Sequence, residues 1–328
     1  MNLVILSFNC WGLWLVAHKR AERLRHIGEY LQTSAADIVL LQEVWVREDA
    51  DQTAQLASQG GLKHSVQFPT GMLGGELMVL SRFPIVQVRF EKYEAAGDPS
   101  ALFQGDYFAG KGISYVRLMT PEGPVDVFNT HLGANYLHSY QGQVAEDVAY
   151  AIPEDPDGPV RVAQALQLAD FIRAHVQQDS IATIAGGDFN AHPATLELEL
   201  FRGCLPDLQD CWHVANPEAP GVTVNALDNT FTKPSRNDPP LRIDYIWSSS
   251  NACVKGAQVV LHNTTAGYSF SDHFGLQAEI EIGSGASKHA DQTDRGGASL
   301  LERMKASPHP FQDALGLLHA GAERQPPA

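Results

Sequence analysis

The chain has 328 residues, 44% of them apolar and 19% charged, the make-up of an ordinary globular protein with a sizeable core. Lys and Arg number 23 against 38 Asp and Glu, a formal net charge of −15, so the surface repels phosphate backbones at long range and argues against a general nucleic-acid binder. No uninterrupted run of about 18 apolar residues occurs, which excludes a transmembrane helix as an expectation from sequence.

The N-terminus opens directly on a strand-like run, with neither a basic stretch nor a cleavage site, so the expected address is cytoplasmic. In chain order the strand candidates are Leu3–Phe8, Ile38–Leu41, Glu76–Leu80, Ile85–Phe90, Ile113–Leu118, Val125–Asn129, Ile181–Ala185, Leu241–Trp247, Val254–Leu261 and Leu276–Ile282. Helical periodicity covers about His18 to Thr33, Asp49 to Gln59, Pro159 to Gln178 and Ala194 to Phe201. Many strands with few helices in mixed order predict two packed sheets covered by helices. The polar, acidic stretch from Leu137 to Gly158 is expected to be a long loop. Cys10, Cys204, Cys211 and Cys253 form no C-x-x-C pair and are expected to be buried thiols. After Ile282 the composition shifts to Gly, Ser, Ala and charge, so residues 1–282 are expected to form the catalytic domain and 283–328 a linker and partly helical tail.

The chemistry-bearing residues sit at strand ends, where a rigid scaffold presents functional groups. Asn9 follows the first strand and Gln42-Glu43 the second. His131 follows Val125–Asn129, and Gly186-Gly187-Asp188-Phe189-Asn190 follows Ile181–Ala185. Asp244 interrupts an apolar strand, and Ser271-Asp272-His273 precedes the last one. Each alone has a simpler structural explanation: a Glu after a strand is usually a solvated loop charge, and a lone His is usually a hydrogen-bonded structural residue. Their joint recurrence along the chain is what points to one convergent site.

Leu-Gln-Glu at 41–43, Thr-His at 130–131, Gly-Asp-Phe-Asn at 187–190, Arg-Ile-Asp-Tyr-Ile at 242–246 and Ser-Asp-His at 271–273 resemble the endonuclease/exonuclease/phosphatase superfamily, in order and spacing. The resemblance implies the deoxyribonuclease I-like fold: an α/β (α+β) four-layer sandwich of two mixed β-sheets flanked by helices. A narrower set is similar to the neutral sphingomyelinase and inositol-phosphosphingolipid phospholipase C branch. It comprises Asn9-Cys10-Trp11-Gly12, Glu43-Val44-Trp45, Gly105 to Gly112, His131-Leu132-x-Ala134-x-Tyr136 and Arg161 to Ala165. One departure is Gly133-Ala134-Asn135-Tyr136, where the branch often has His-Ala-Glu-Tyr. The transmembrane segments of animal and yeast members have no counterpart, so the expected membrane contact is peripheral.

That resemblance implies hydrolysis of a phosphodiester with Mg²⁺, or Mn²⁺ in its place. Mg²⁺ takes oxygen ligands and keeps several waters, so one or two carboxylates suffice. Glu43 is the implied first ligand, with Asn9 and Asp272 beside it. His273 is expected to be the general base, because imidazole titrates near neutral pH, with Asp244 accepting its other ring N–H. His131 is expected to donate to a phosphate oxygen from the opposite side, while Asp188 and Asn190 orient water and phosphate. Lys111 and Asp106, from a Gly-rich segment that resembles a phosphate-binding loop and matches an Asp and a Lys that are functionally important in the branch, and Asn135 and Tyr136 are expected at the substrate. The implied partner is a sphingophospholipid or lysophospholipid at a membrane surface, with no nucleic acid. A nuclease on the same scaffold is the alternative, and a phosphoinositide phosphatase lacks its usual basic motif beside Asp244. A non-enzymatic binding module would be expected to have lost Glu43 or His273, and both are present.

Overall fold

The first apolar run, β1 (Asn2–Asn9), is buried on both faces because it lies mid-sheet between two layers. Leu3 and Ile5 point into the core between the sheets, while Leu6 and Phe8 pack under helices, the period-two alternation of a strand. The computed structural model describes residues 1–14, 17–71, 74–95, 111–134, 158–234 and 239–283. Among them are twelve strands in two six-stranded sheets.

The first sheet joins β1 to β2 (Ile38–Gln42), β3 (His64–Gly71), β4 (Gly74–Ser81), β11 (Cys253–Val260) and β12 (Gly275–Glu281), in the order β11-β12-β1-β2-β4-β3. The second holds β5 (Ile85–Lys92), β6 (Gly112–Thr120), β7 (Gly123–His131), β8 (Ala182–Asp188), β9 (Leu208–Asp210) and β10 (Asp244–Ser249), ordered β5-β6-β7-β8-β10-β9. Each sheet is mixed: β1 pairs parallel with β2, and β7 parallel with β8, amid antiparallel neighbours. Helices α1 (Arg20–Thr33) and α2 (Arg47–Gln59) cover the first sheet; α3 (Gly158–His175) and α4 (Leu196–Cys204) cover the second. A short α5 (Cys211–Ala215) is capped by the Asp210 carboxylate, which accepts from the Trp212 and His213 amides. This is the expected four-layer sandwich.

All ten anticipated strands form, with shifted ends. The largest shift is in β10, which begins at Asp244, because Leu241 bridges instead to Val224. Two strands were not anticipated. β3 is an edge strand with one neighbour, so it carries polar His64 and Gln67 and lacks a continuous apolar run. β9 is only three residues long. Cys10 and Cys211 are buried as expected, Cys204 and Cys253 only half-buried, and all four are free thiols. No described helix is long and apolar enough to cross a membrane.

One feature of the inter-sheet core positions the site. The residues of that face change from apolar to polar toward one end of the strands. On β1 the series Leu3, Ile5 continues as Ser7 and Asn9; on β2, Ile38 and Leu40 lead to Gln42; on β7, Val125 and Val127 lead to Asn129 and His131. On β8, Ala182 and Ile184 lead to Gly186 and Asp188. Gly186 is needed where the sheets approach, since a Cβ there would stand 2.8 Å from Leu40 Cδ1. Gln42 Nε2 donates to Asn129 Oδ1 at 2.8 Å, and Asn129 Nδ2 to the Leu41 carbonyl at 2.9 Å. These buried amides bridge the sheets directly beneath the polar end.

Candidate active site

Five strands deliver their polar ends to one place. Asp188 lies at its centre, at the end of β8, with Asp244 of β10 directly opposite in the ladder and His131 of β7 on the other side. Asp188 Oδ2 accepts from Asn9 Nδ2 at 2.9 Å, and Oδ1 from the Asn190 amide at 2.8 Å. Two imidazoles face the same oxygen: His131 Nε2 at 3.4 Å and His273 Nε2 at 3.8 Å. Burial pushes the Asp188 pKa up, but His131, His273 and Lys111 outweigh it and hold the carboxyl below its ordinary value.

His273 is fixed by its second nitrogen. Nδ1 lies 2.9 Å from Asp244 Oδ2, so the ring donates there and turns Nε2 toward Asp188. Burial lowers the imidazole pKa, yet the Asp244 and Asp188 carboxylates carry it well above its usual value. Asp244 itself is raised, by burial first and by its neighbour Asp188, with His273 opposing. Its Oδ1 is buried without a hydrogen-bond partner. The strand is set from behind by Thr223 Oγ1, which accepts from the Ile243 and Asp244 amides at 3.2 and 3.4 Å. Asn229 Nδ2 donates to the Ser271 and Asp272 carbonyls at 3.0 and 3.1 Å and so holds the loop that carries His273.

His131 repeats the arrangement with a partner that sequence reasoning missed. Its Nδ1 contacts the carboxylate of Glu76, a fully buried residue on β4. Lys111 Nζ lies 2.8 Å from His131 Nε2 and donates to the Leu132 carbonyl at 2.8 Å. Donation by the ammonium to Nε2 puts the ring proton on Nδ1, against Glu76. Burial and Lys111 push the ring pKa down, and Glu76 with Asp188 outweighs them and holds it above the ordinary value. Asn190 Nδ2 donates to the same Leu132 carbonyl at 3.0 Å, with its backbone in the left-handed region at φ 48°. The signal that reveals Glu76 is the one that reveals Asp244: a lone carboxylate in an apolar strand.

Glu43 leaves β2 in the left-handed conformation, φ 58°, which turns its carboxylate toward the cluster. The turn is locked by the Gly12 amide donating to the Glu43 carbonyl at 3.0 Å, an approach so close that a Cβ on Gly12 would stand 2.2 Å from that oxygen. Asn9 Nδ2 donates to Glu43 Oε1 at 3.1 Å. Burial raises the Glu43 pKa and Asp272 adds to the rise, while His131, Lys111 and Asn9 offset only part of it. A half-buried carboxylate lifted by a second one is a place that favours a cation. The donors are hard oxygens, which suit Mg²⁺. Asn9 turns its amide nitrogen to Glu43 and Asp188, so its oxygen reaches a cation only if the amide turns over. Among the described residues, Asp188, Asp244 and His273 also offer ligand atoms all within 4.8 Å of one another. There the His273 Nδ1 is bonded to Asp244, which leaves Nε2 as the ring atom turned toward Asp188.

The structure thus brings together Asn9, Glu43, Lys111, His131, Asp188, Asn190, Asp244, Asp272 and His273. Asp106, Asn135 and Tyr136 lie outside the described residues, as do most of the 105–112 loop, the 137–157 stretch and the tail.

Sandwich and site together define a hydrolase of the deoxyribonuclease I-like class, with two oriented imidazoles around one carboxylate. The chain belongs to the endonuclease/exonuclease/phosphatase family, which it matches over residues 6–273. It is 33% identical over 308 residues to the inositol phosphosphingolipids phospholipase C of Schizosaccharomyces pombe, an alignment covering 86% of this chain and 69% of that one. Identity to the putative neutral sphingomyelinase of Drosophila melanogaster is 30% over 292 residues, covering 86% of this chain but only 61% of the relative. Among solved structures, TDP2 from C. elegans shares the fold, with a TM-score of 0.64 at 17% identity, covering 85% of this chain and 75% of that one.

Proposed function

We propose that this chain is a Mg²⁺-dependent, sphingomyelinase-like phospholipase C that hydrolyses a sphingophospholipid or lysophospholipid and releases the phosphorylated head group. The observation that carries the chemistry is the pair of imidazoles on one Asp188 oxygen, each oriented by its own carboxylate. The lipid side rests on the relatives, whose names are those of sphingolipid phosphodiesterases, and on the net charge of −15.

In this reading His273 Nε2 takes the proton of the attacking water, which Asp188 orients, and Asp244 stabilises the imidazolium that forms. Asn190 and Lys111 hold the phosphate oxygens, Lys111 shifting from the ring to the substrate as the substrate enters, and His131 joins them through Nε2 in its doubly protonated form. Glu43 and Asp272 would hold the cation, with Asn9 beside them, its side-chain oxygen accepting from the Trp11 amide. When bound, the cation supplies charge neutralisation at the phosphoryl group and the leaving alkoxide.

Peripheral membrane contact belongs to the same proposal. The two most exposed large apolar side chains among the described residues are Leu227 and Trp14, at 79% and 68%. Trp14 follows the Trp11 turn beside Asn9. Leu227 precedes Asn229, which bonds the Asp272 loop, so each is within a few residues along the chain of a segment that carries the site. An exposed indole suits the wet boundary of a bilayer.

The test is hydrolysis of sphingophospholipids, lysophospholipids and DNA by the purified chain with Mg²⁺. Head-group release from lipid in mixed micelles, with DNA cut far more slowly at moderate salt, is the expected outcome. Rapid DNA cleavage without release from any lipid would replace this reading by the nuclease.

A further inference from the structure

Arg23 is buried on α1, with its side chain wholly withdrawn from solvent, and it forms no ion pair with any described residue. Its donors go to backbone carbonyls: Nε to His18 at 2.7 Å, Nη1 to Cys10 at 2.9 Å and to Phe270 at 2.8 Å, and Nη2 to Trp11 at 2.6 Å. The guanidinium also lies against two neighbouring rings, 4.8 Å from the centroid of Trp11 and 5.5 Å from that of Phe231. A buried, unpaired charge is costly, and carbonyl bonds with two aromatic faces are the means by which it is tolerated here.

A buried arginine that ties carbonyls is ordinarily a structural staple. What sets this one apart is which carbonyls it ties. Cys10 and Trp11 directly follow Asn9, and Phe270 stands two residues before Asp272. The Trp11 backbone is in the left-handed region at φ 47°, a conformation unusual for a bulky residue and kept only where the surroundings impose it. The Arg23 bond to its carbonyl and the Asn9 Oδ1 bond to its amide, at 2.9 Å, impose it. One residue further on, Gly12 is fastened to the Glu43 carbonyl at 3.0 Å. A continuous chain of contacts therefore runs from Glu43 through Gly12 and Trp11 to Arg23, and from Arg23 to the loop of Asp272 and His273.

We propose that Arg23 is a positioning residue that sets the Asn9–Glu43 corner at a fixed distance from the Asp272–His273 loop, so that cation and base meet the same phosphate. The inference rests on the proposed function for the assignment of Glu43 to the metal. Its fork geometry is the essential property, because one planar group reaches both segments at once; a lysine keeps the charge and reaches at most one of them.

The test uses the full chain with Arg23→Lys, read by thermal unfolding, by kcat and KM on micellar lipid, and by calorimetric titration of the metal-free protein with Mg²⁺. A misplacement of about 1 Å can cost about 10²-fold in rate, so kcat is expected to fall about that far with KM little changed. Mg²⁺ binding is expected to weaken several-fold in the same folded protein. Should Arg23→Lys not unfold cooperatively, Arg23→Gln, which removes the buried charge and keeps two donors, is measured in the same way. A loss of kcat that only matches the unfolded fraction, with Mg²⁺ affinity unchanged, would overturn the positioning role. Glu43→Gln is the parallel control. If it leaves Mg²⁺ binding untouched while Arg23→Lys still loses turnover in folded protein, the metal assignment fails and the positioning role stands.

Discussion

Asp244→Asn is the sharpest perturbation the site offers. The Asp244 carboxylate accepts from His273 Nδ1 at 2.9 Å inside a buried cluster, and no other described group is bonded to that nitrogen. An asparagine of the same shape can present its NH₂ group instead, which makes Nδ1 the acceptor and moves the ring proton to Nε2. The atom meant to take the proton from water then already carries one. General base catalysis is worth about 10²–10⁴-fold, so turnover should fall within that range, with the barrier rising about 1.4 kcal/mol per tenfold.

The same substitution has a pH signature. Asp244 is the chief influence raising the His273 pKa, so its removal should shift the acid limb of the rate profile to lower pH. A histidine raised in the folded state contributes stability that is full below its unfolded value, about 6.5, and lost as pH rises through the folded value. Asp244 is raised as well, so its desolvated charge costs most at high pH, and the two directions agree. The variant should therefore melt below the wild type chiefly in acid, and the gap should close toward alkaline pH. Rate profiles and melting curves over one set of buffers decide it. A near-normal turnover with an unmoved acid limb would show that His273 is not the base, or that Asp244 does not orient it.

Removing the second pair by Glu76→Leu leaves His131 buried without its carboxylate; a loss of about 3–5 kcal/mol is expected from breaking a buried pair, measured by urea unfolding. Glu76→Gln should spare much of that stability and still lower kcat, which separates packing from chemistry. Gly186→Ala places a methyl 2.8 Å from Leu40 Cδ1 in the inter-sheet core and should cost about 1–3 kcal/mol of unfolding free energy. Chelation should abolish hydrolysis, and Glu43→Gln should raise the Mg²⁺ needed for half-maximal rate. Truncation after Gly283 should leave hydrolysis of detergent-dispersed lipid largely intact; loss of that activity would place the tail in the catalytic fold.

Much of this site was legible because strand periodicity and function coincide. Asn9, Asp188 and Asp244 occupy positions that the alternation assigns to the inter-sheet face, and they stand where apolar residues give way. Glu76 carries the same mark at the start of an apolar run, yet it falls outside every short motif and reads as a strand boundary. Arg23 is harder still. Its role lies in four backbone carbonyls, and carbonyls have no sequence signature. The Thr223 and Asn229 supports are invisible for a similar reason, since each bonds backbone brought near by tertiary structure. The edge strand β3 was missed because one exposed flank relaxes the apolar pattern.

The charges of the assembled site favour a bound cation. Glu43, Glu76, Asp188, Asp244 and Asp272 converge on a space whose permanent positive groups among the described residues are Lys111 and Arg23, both already engaged by carbonyls. A phosphodiester is an anion and would enter this cluster against repulsion at low dielectric. The two imidazoles relieve part of it, and the carboxylates around them push the pKa of both rings up. A divalent cation held at Glu43, as proposed, would offset that repulsion and weaken the carboxylates' hold on the His273 proton. Raised Mg²⁺ should accordingly lower the pH at which His273 titrates, followed by its ring resonances in the absence of substrate. An unmoved titration would place the cation away from the base and require a different set of ligands.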